Sequence, residues 1–174
     1  GTTNFARKSL AHKENFRKII DLTLSNVGLG TYLGNPDSET DTQQKNAIKQ
    51  SILHGVNVID TAINYRAQKS ERTVGKAVSE LIDEGKIDRS EIFISTKNGY
   101  VTNDADIQED FMAYIMREFG KTGIVKEGDI SAQYNCMTIP FLEDQLARSQ
   151  KNLGLDCIDL MYLHNAVEGQ PQMS

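Results

Sequence analysis

Two rhythms of apolar positions alternate along this chain. Short runs rich in β-branched and large apolar residues, Val56-Asn57-Val58-Ile59, Glu91-Ile92-Phe93-Ile94-Ser95-Thr96-Lys97 and Ile158-Asp159-Leu160-Met161-Tyr162-Leu163-His164, predict strands. Between them lie stripes at helical spacing. Ala47, Ile48 and Ile52 follow Asp41, a good N-cap with Gln44 three residues on, and stop at Gly55. Val74, Ala77, Val78 and Leu81 follow Ser70 and stop at Gly85, while Leu142, Leu146 and Leu153 follow Thr138-Ile139-Pro140 and stop at Gly154. Residues 16–21 and 22–27 read as extended with a turn near Asp21, and Val27-Gly28-Leu29-Gly30-Thr31-Tyr32 continues as a glycine-bearing strand. Residues 98–137 are less regular, although Ile107, Phe111, Ile115 and Phe119 recur every four positions and predict an amphipathic helix over 106–119.

Strand and helix thus alternate, with one insert, and alternation with short connections means βαβ units on a parallel sheet, an α/β fold. A chain of 174 residues with 39% hydrophobic content can fill one core. Its net charge of −5 argues against nucleic acid, which needs a Lys/Arg surface. No run approaches the roughly 20 apolar residues of a membrane span. Residues 1–15 are polar, without the apolar centre of a signal peptide, and read as a flexible tail whose Gly1 fits a tag-cleavage remnant. Two cysteines, Cys136 and Cys157, are too few for a disulfide framework and form no CxxC pair. A reducing, cytoplasmic setting is the simplest reading, with no metal ligand set.

Each strand ends on a polar residue. Thr31 follows the first, Asp60 the second, Lys97 the third and His164 the fourth, with Tyr65 shortly after Asp60. In parallel α/β sheets and barrels the loops after the C-terminal strand ends open on one face, so Asp60, Tyr65, Lys97 and His164 should converge. A lysine ammonium beside a tyrosine favours the phenolate, an aspartate balances the lysine, and a histidine orients a substrate oxygen. Such an assembly can donate a proton to a carbonyl oxygen. Taken singly, Asp60 could cap a helix, Lys97 could snorkel at the surface, His164 could be a satisfied structural histidine and Tyr65 a loop aromatic. Their coincidence on one face is what points to chemistry.

These residues resemble a known family. Asp60-Thr61-Ala62-Ile63-Asn64-Tyr65, then Ser70-Glu71 and Val74-Gly75, look like the aldo-keto reductase signature around its catalytic aspartate and tyrosine. Gly28-Leu29-Gly30-Thr31-Tyr32 is similar to the family's first-strand motif, Ser95-Thr96-Lys97 to its lysine motif, and Leu142 through His164, with Leu153-Gly154-Leu155-Asp156 in register, to the segment leading to its histidine. The resemblance covers residues 16–165 and implies a (β/α)8 TIM barrel of the aldo-keto reductase type, with 16–27 as a hairpin closing the barrel bottom. It implies NADPH-dependent reduction of an aldehyde or ketone, a small-molecule carbonyl substrate. Tyr65 would be the general acid, Lys97 the cation favouring its phenolate, Asp60 the partner of Lys97, and His164 the carbonyl-positioning group. Gly30, Thr31, Tyr32 and Asp60 would border the cofactor, and Tyr32, Asn98 and Asn165 the substrate.

The chain departs from that pattern in three places. A full barrel needs about 250 residues, and only the first four βα units are present; a truncated chain is expected, a half-barrel completed by a second copy being the alternative, and a homo-oligomer is left open. The loop Arg66-Ala67-Gln68-Lys69 is slightly longer than the common pattern. The segment 100–137 is an insert expected to form a lid. Two other functions fit the residues: a cofactor-binding regulatory module of the same fold with little turnover, or an aldolase-like barrel using Lys97 as a Schiff-base lysine. One domain is assigned over 16–174.

Overall fold

A computed structural model describes residues 1–166; positions 167–174 of the assigned domain lie outside the described residues. The elements run α1 (Thr2–Lys8), β1 (Phe16–Ile19), β2 (Leu22–Ser25), β3 (Leu29–Gly30), α2 (Ser38–Leu53), β4 (Val58–Asp60), α3 (Lys69–Asp83), β5 (Phe93–Asn98), α4 (Phe111–Ile115), α5 (Ile139–Leu153) and β6 (Leu160–Leu163). β1 and β2 make an antiparallel hairpin with Phe16 opposite Ser25. β3, β4, β5 and β6 form a parallel sheet in chain order, each joined to the next through a helix. This is the α/β arrangement of a partial (β/α)8 barrel, four consecutive strands with the helical connections between them. β3 and β6 are its edges among the described residues, and Leu160, Tyr162 and Leu163 of β6 are substantially exposed. No helix among the described residues is long and apolar enough to cross a membrane.

The main core lies between the sheet and its helices: Ile48 and Ile52 of α2, Val74, Val78 and Leu81 of α3, and Ile59, Ile92 and Ile94 around the strands are buried together. A second cluster joins Val101, Tyr114, Phe119, Cys136 and Phe141, so the irregular segment folds around apolar contacts of its own.

Several element boundaries differ from the sequence reading, each for a local reason. α2 starts at Asp37, whose carboxylate accepts from Thr40 N at 2.8 Å; Asp41, the other capable cap, is taken by Arg66 and Lys69. α3 starts after Gln68, and the Ser70 hydroxyl instead donates to the Thr31 carbonyl at 2.8 Å. The helix expected over 106–119 is shorter and later, α4 followed by a π turn over Met116–Gly120, because Asp110 caps Met112 and Ala113. On α5 the buried face is Phe141, Gln145, Ser149 and Leu153, whereas Leu146 is exposed. Gln145 is inside because its amide accepts from Gly99 N and donates to Tyr100 O, both at 2.8 Å. A buried amide serving loop backbone defeats a reading by hydropathy.

The flexible tail expected over 1–15 is corrected most clearly. Residues 2–8 form α1, and Phe5 is buried edge-on against Phe16. Polar contacts dock this short helix: Thr2 Oγ1 accepts from Thr23 N at 2.9 Å, while Asn4 and Lys8 both reach the fully buried Glu91 at 2.6 Å. At the other end of the sheet's lower rim, Asp159 Oδ2 accepts from Ile94 N at 2.8 Å and from Arg89 at 2.7 Å, one step before β6 begins.

α3 and α5 touch backbone to backbone at Gly75, where a Cβ would lie 2.5 Å from the Leu153 carbonyl oxygen and 2.9 Å from that of Asn152. Gly75→Ala should therefore destabilise by about 1–3 kcal/mol through overpacking, despite alanine's better helix propensity, as read from urea unfolding. Beside this contact, buried Glu71 accepts from Thr96 Oγ1 at 2.7 Å and from Asn152 Nδ2 at 2.9 Å. Burial pushes its carboxyl above the usual 4.5, against the pull of Asn152 and Thr96. A raised folded value means that Glu71 contributes stability present below pH 4.5 and lost as pH rises through the folded value. Glu71→Gln, whose amide can meet the same partners once the Thr96 hydroxyl turns, should gain on the wild type as pH rises from 4.5 to 8. Paired urea midpoints across that range would check this.

Candidate active site

Parallel register brings the strand ends level. Gly30 pairs with Asp60, Asp60 with Ser95, and Asn98 with Leu163, immediately before His164. At this rim Lys97 donates all three of its N–H bonds: to Asp60 Oδ2 at 2.6 Å, to the Thr61 carbonyl at 2.8 Å and to the Tyr65 hydroxyl at 2.9 Å. Its side chain is only 16% exposed, so the three acceptors replace water around the ammonium. Asp60 Oδ1 in turn accepts from Ser95 Oγ at 2.8 Å, which fixes the carboxylate.

Aromatic rings build the wall around this centre. Tyr32 stands edge-on to Tyr65 at 5.0 Å between centroids, Tyr65 to His164 at 5.8 Å, and His164 to Tyr100 at 5.0 Å. A cavity of about 290 Å³ is lined by Tyr32, Asn64, Tyr65, Tyr100, His164 and Asn165. His164 is held from two sides: its backbone N–H donates to the Asn98 carbonyl at 2.8 Å, and its ring Nδ1 lies 3.1 Å from Asn64 Oδ1. Burial first, and the nearby Lys97 charge second, push the imidazole below its usual 6.5; Asp60 opposes them. The ring is therefore neutral at pH 7.

Asp60, Tyr65, Lys97 and His164 are thus brought together, and Tyr32 and Asn165 reach the same cavity. Gly30 sits beside Asp60 with open space over it, since a Cβ there meets nothing within 4 Å. Two candidates fall elsewhere. Thr31 is buried, with its hydroxyl donating to the Asp60 carbonyl at 3.1 Å, so it pins β3 instead of facing a ligand. Asn98 follows Lys97 on a strand whose side chains alternate, so it points to the helix side and donates to the Leu142 carbonyl at 3.3 Å. Of the segment 100–137, Tyr100 is the residue that lines the cavity. Sequence reasoning missed Tyr100, Asn64 and Ser95. Gly99, at φ 106°, turns the chain after Lys97 and was the available signal for Tyr100.

The His164 environment is directly measurable. In NMR titrations its ring should protonate below pH 6.5, and Lys97→Met should raise that midpoint by removing the opposing charge.

Known proteins can now be set beside this geometry. The family model described as "Aldo/keto reductase family" matches residues 26–172. The chain is 29% identical over 149 residues to the NADH-specific methylglyoxal reductase of Escherichia coli (strain K12), covering 83% of this chain and 39% of that protein. It is 28% identical over 153 residues to aldo-keto reductase AKR2E4 of Bombyx mori, covering 87% and 38%. Among solved structures, the holo form of aldo-keto reductase AKR11C1 from Bacillus halodurans superposes with a TM-score of 0.58 at 20% identity, covering 91% of this chain and 44% of that one. An aldo/keto reductase from Klebsiella pneumoniae, in complex with NADP and acetate, gives 0.52 at 19% identity, covering 88% and 42%. The chain spans less than two-fifths of the length of these curated relatives. With the family model matching most of the chain, and the strand-end residues of its motifs gathered on one rim, this chain belongs to the aldo/keto reductase family.

Proposed function

We propose that the protein containing this chain reduces an aldehyde or ketone to an alcohol with NADPH, using Tyr65 as general acid. The observation that carries this reading is the Lys97 ammonium donating to the Tyr65 hydroxyl at 2.9 Å on the wall of an aromatic cavity. Tyr65 gives its proton to the carbonyl oxygen as negative charge develops there, and Lys97 stabilises the phenolate left behind. Asp60 balances the lysine charge throughout. His164, neutral, donates from Nε2 to the same oxygen when the Asn64 amide turns its N–H₂ toward Nδ1.

A bound nicotinamide supplies the hydride that ends on the carbonyl carbon. The residues at hand fit such a flat group: the open space over Gly30, the Tyr32 ring at 65% exposure, the Asp60 edge and exposed Asn165 lie along the rim. The NADP-bound Klebsiella structure supports NADPH, and the E. coli relative named NADH-specific makes NADH the comparison to run. The Schiff-base alternative fares worse, because Lys97 Nζ is engaged by three acceptors and has no free approach to a substrate carbonyl.

In the full-length protein, Tyr65→Phe should lower turnover by about 10²–10⁴-fold. NADPH affinity, followed by nicotinamide fluorescence, should stay unchanged. A Phe variant that keeps normal turnover would remove Tyr65 from the acid role. A wild type that binds NADPH yet reduces no carbonyl in a broad panel would favour the regulatory module.

A further inference from the structure

The chain leaves Tyr65 through three successive non-glycine residues in the left-handed region: Arg66 at φ 52°, Ala67 at 49° and Gln68 at 74°. L-residues resist this conformation because Cβ crowds the following carbonyl oxygen, and runs of them are rarer than single cases. The turn's own hydrogen bonds are long, 3.2 Å from Ala67 N to Asn64 O, 3.3 Å from Lys69 N to Arg66 O and 3.4 Å from Ser70 N to Tyr65 O. Something outside the turn must hold it there.

Two buried side chains do so. The Arg66 side chain is 1% exposed and donates to the Asn35 carbonyl at 2.8 Å, Gln44 Oε1 at 3.0 Å, the Asp37 carbonyl at 3.2 Å and the Asp41 carboxylate. It ties the turn to the β3–α2 connection. Gln68 is also buried; its amide donates to the Asn103 carbonyl at 3.1 Å and the Tyr114 hydroxyl at 3.2 Å, and accepts from Asn152 at 3.2 Å. It ties the turn to the irregular segment and to α5. The Ala67 carbonyl accepts from Ala105 N at 3.1 Å, so the middle of the turn is held as well.

We propose that Arg66 and Gln68 are positioning residues for Tyr65, holding a left-handed turn that aims its phenol at Lys97 and the cavity. This rests on the reading of Tyr65 as general acid. Neither side chain lines the cavity, so each acts only through the tyrosine. Relaxation of the turn to ordinary φ values re-aims the backbone next to Tyr65, and a displacement near 1 Å at a reacting group costs about 10²-fold in rate. On this view residues 103–114 serve Tyr65 as an outer wall.

The test compares Arg66→Gln, Gln68→Leu, Gln68→Gly and Tyr65→Phe in the full-length protein. Turnover is normalised to NADPH-binding sites, and amide hydrogen exchange is followed by mass spectrometry. Arg66→Gln and Gln68→Leu should lower kcat by about 10–100-fold with KM nearly unchanged. Exchange should quicken in peptides covering 64–70 and stay slow in the body of α3. Gln68→Gly should recover much of the loss seen in Gln68→Leu, because glycine adopts φ 74° without penalty. It also keeps the proposal testable should the leucine variant misfold. Equal loss in the two Gln68 variants, with exchange over 64–70 as slow as in the wild type, would overturn the positioning role. Unchanged kcat in both Arg66→Gln and Gln68→Leu, beside an inactive Tyr65→Phe, would overturn it while the proposed function stands. Normal turnover by Tyr65→Phe would overturn both.

Discussion

The ammonium of Lys97 organises the upper end of this sheet. A cation largely withdrawn from water needs an acceptor for each N–H, and here the acceptors come from three places: a carboxylate on β4, a carbonyl just past β4, and a phenol from the turn beyond it. Meeting all three requires β4 and β5 to pair in one register, with Asp60 level with Ser95. It also requires the chain after β4 to double back within five residues. The strand pairing and the candidate chemistry therefore answer the same demand, and a sheet that failed to bring Asp60 and Tyr65 to Lys97 would bury an unpaired charge.

Away from this centre, buried amides and carboxylates join parts that hydrophobic contact alone would leave loose. Asn57 donates to the Thr23 and Glu91 carbonyls and accepts from Ser25 N, so one side chain ties the hairpin to the lower end of the sheet. Glu91 does the same for α1, Gln145 for the chain after β5, and Glu71 for the seam between β5 and α5. Each is satisfied by named partners, which is what makes a polar group tolerable at such depth.

How much of this could be read from the sequence depends on which force sets each element. The strands of the parallel sheet and helices α2, α3 and α5 follow apolar spacing, and their periodic residues Ile48, Val74 and Ile94 are buried where the pattern puts them. Asp60, Lys97 and His164 were legible because a parallel sheet opens all its C-terminal ends on one side, and Tyr65 because it follows Asp60 closely. What stayed hidden is what side-chain hydrogen bonds decide. A polar stretch became α1 because Asn4 and Lys8 share Glu91, and the inner face of α5 carries Gln145 because its amide completes two backbone groups. Asn98 and Thr31 show the same limit at the site itself: a residue's place on a strand was readable, but the partner that claims its side chain was not.

The carboxylate of Asp159 has a reach that its position at the foot of β6 conceals. By accepting from Ile94 N it takes the part of a backbone carbonyl in the ladder, one step before Leu160 pairs with Ser95. A parallel strand can slip along its neighbour by two residues and still show the same faces, and such a slip moves every atom of it by about 6.6 Å. For β6 that shift would carry His164 out of reach of Asn64 and of the Tyr65 ring. An ionic peg at the bottom of the sheet thus sets the height of the histidine at the top, and a phasing error between two strands is prevented far from the place where it would be felt.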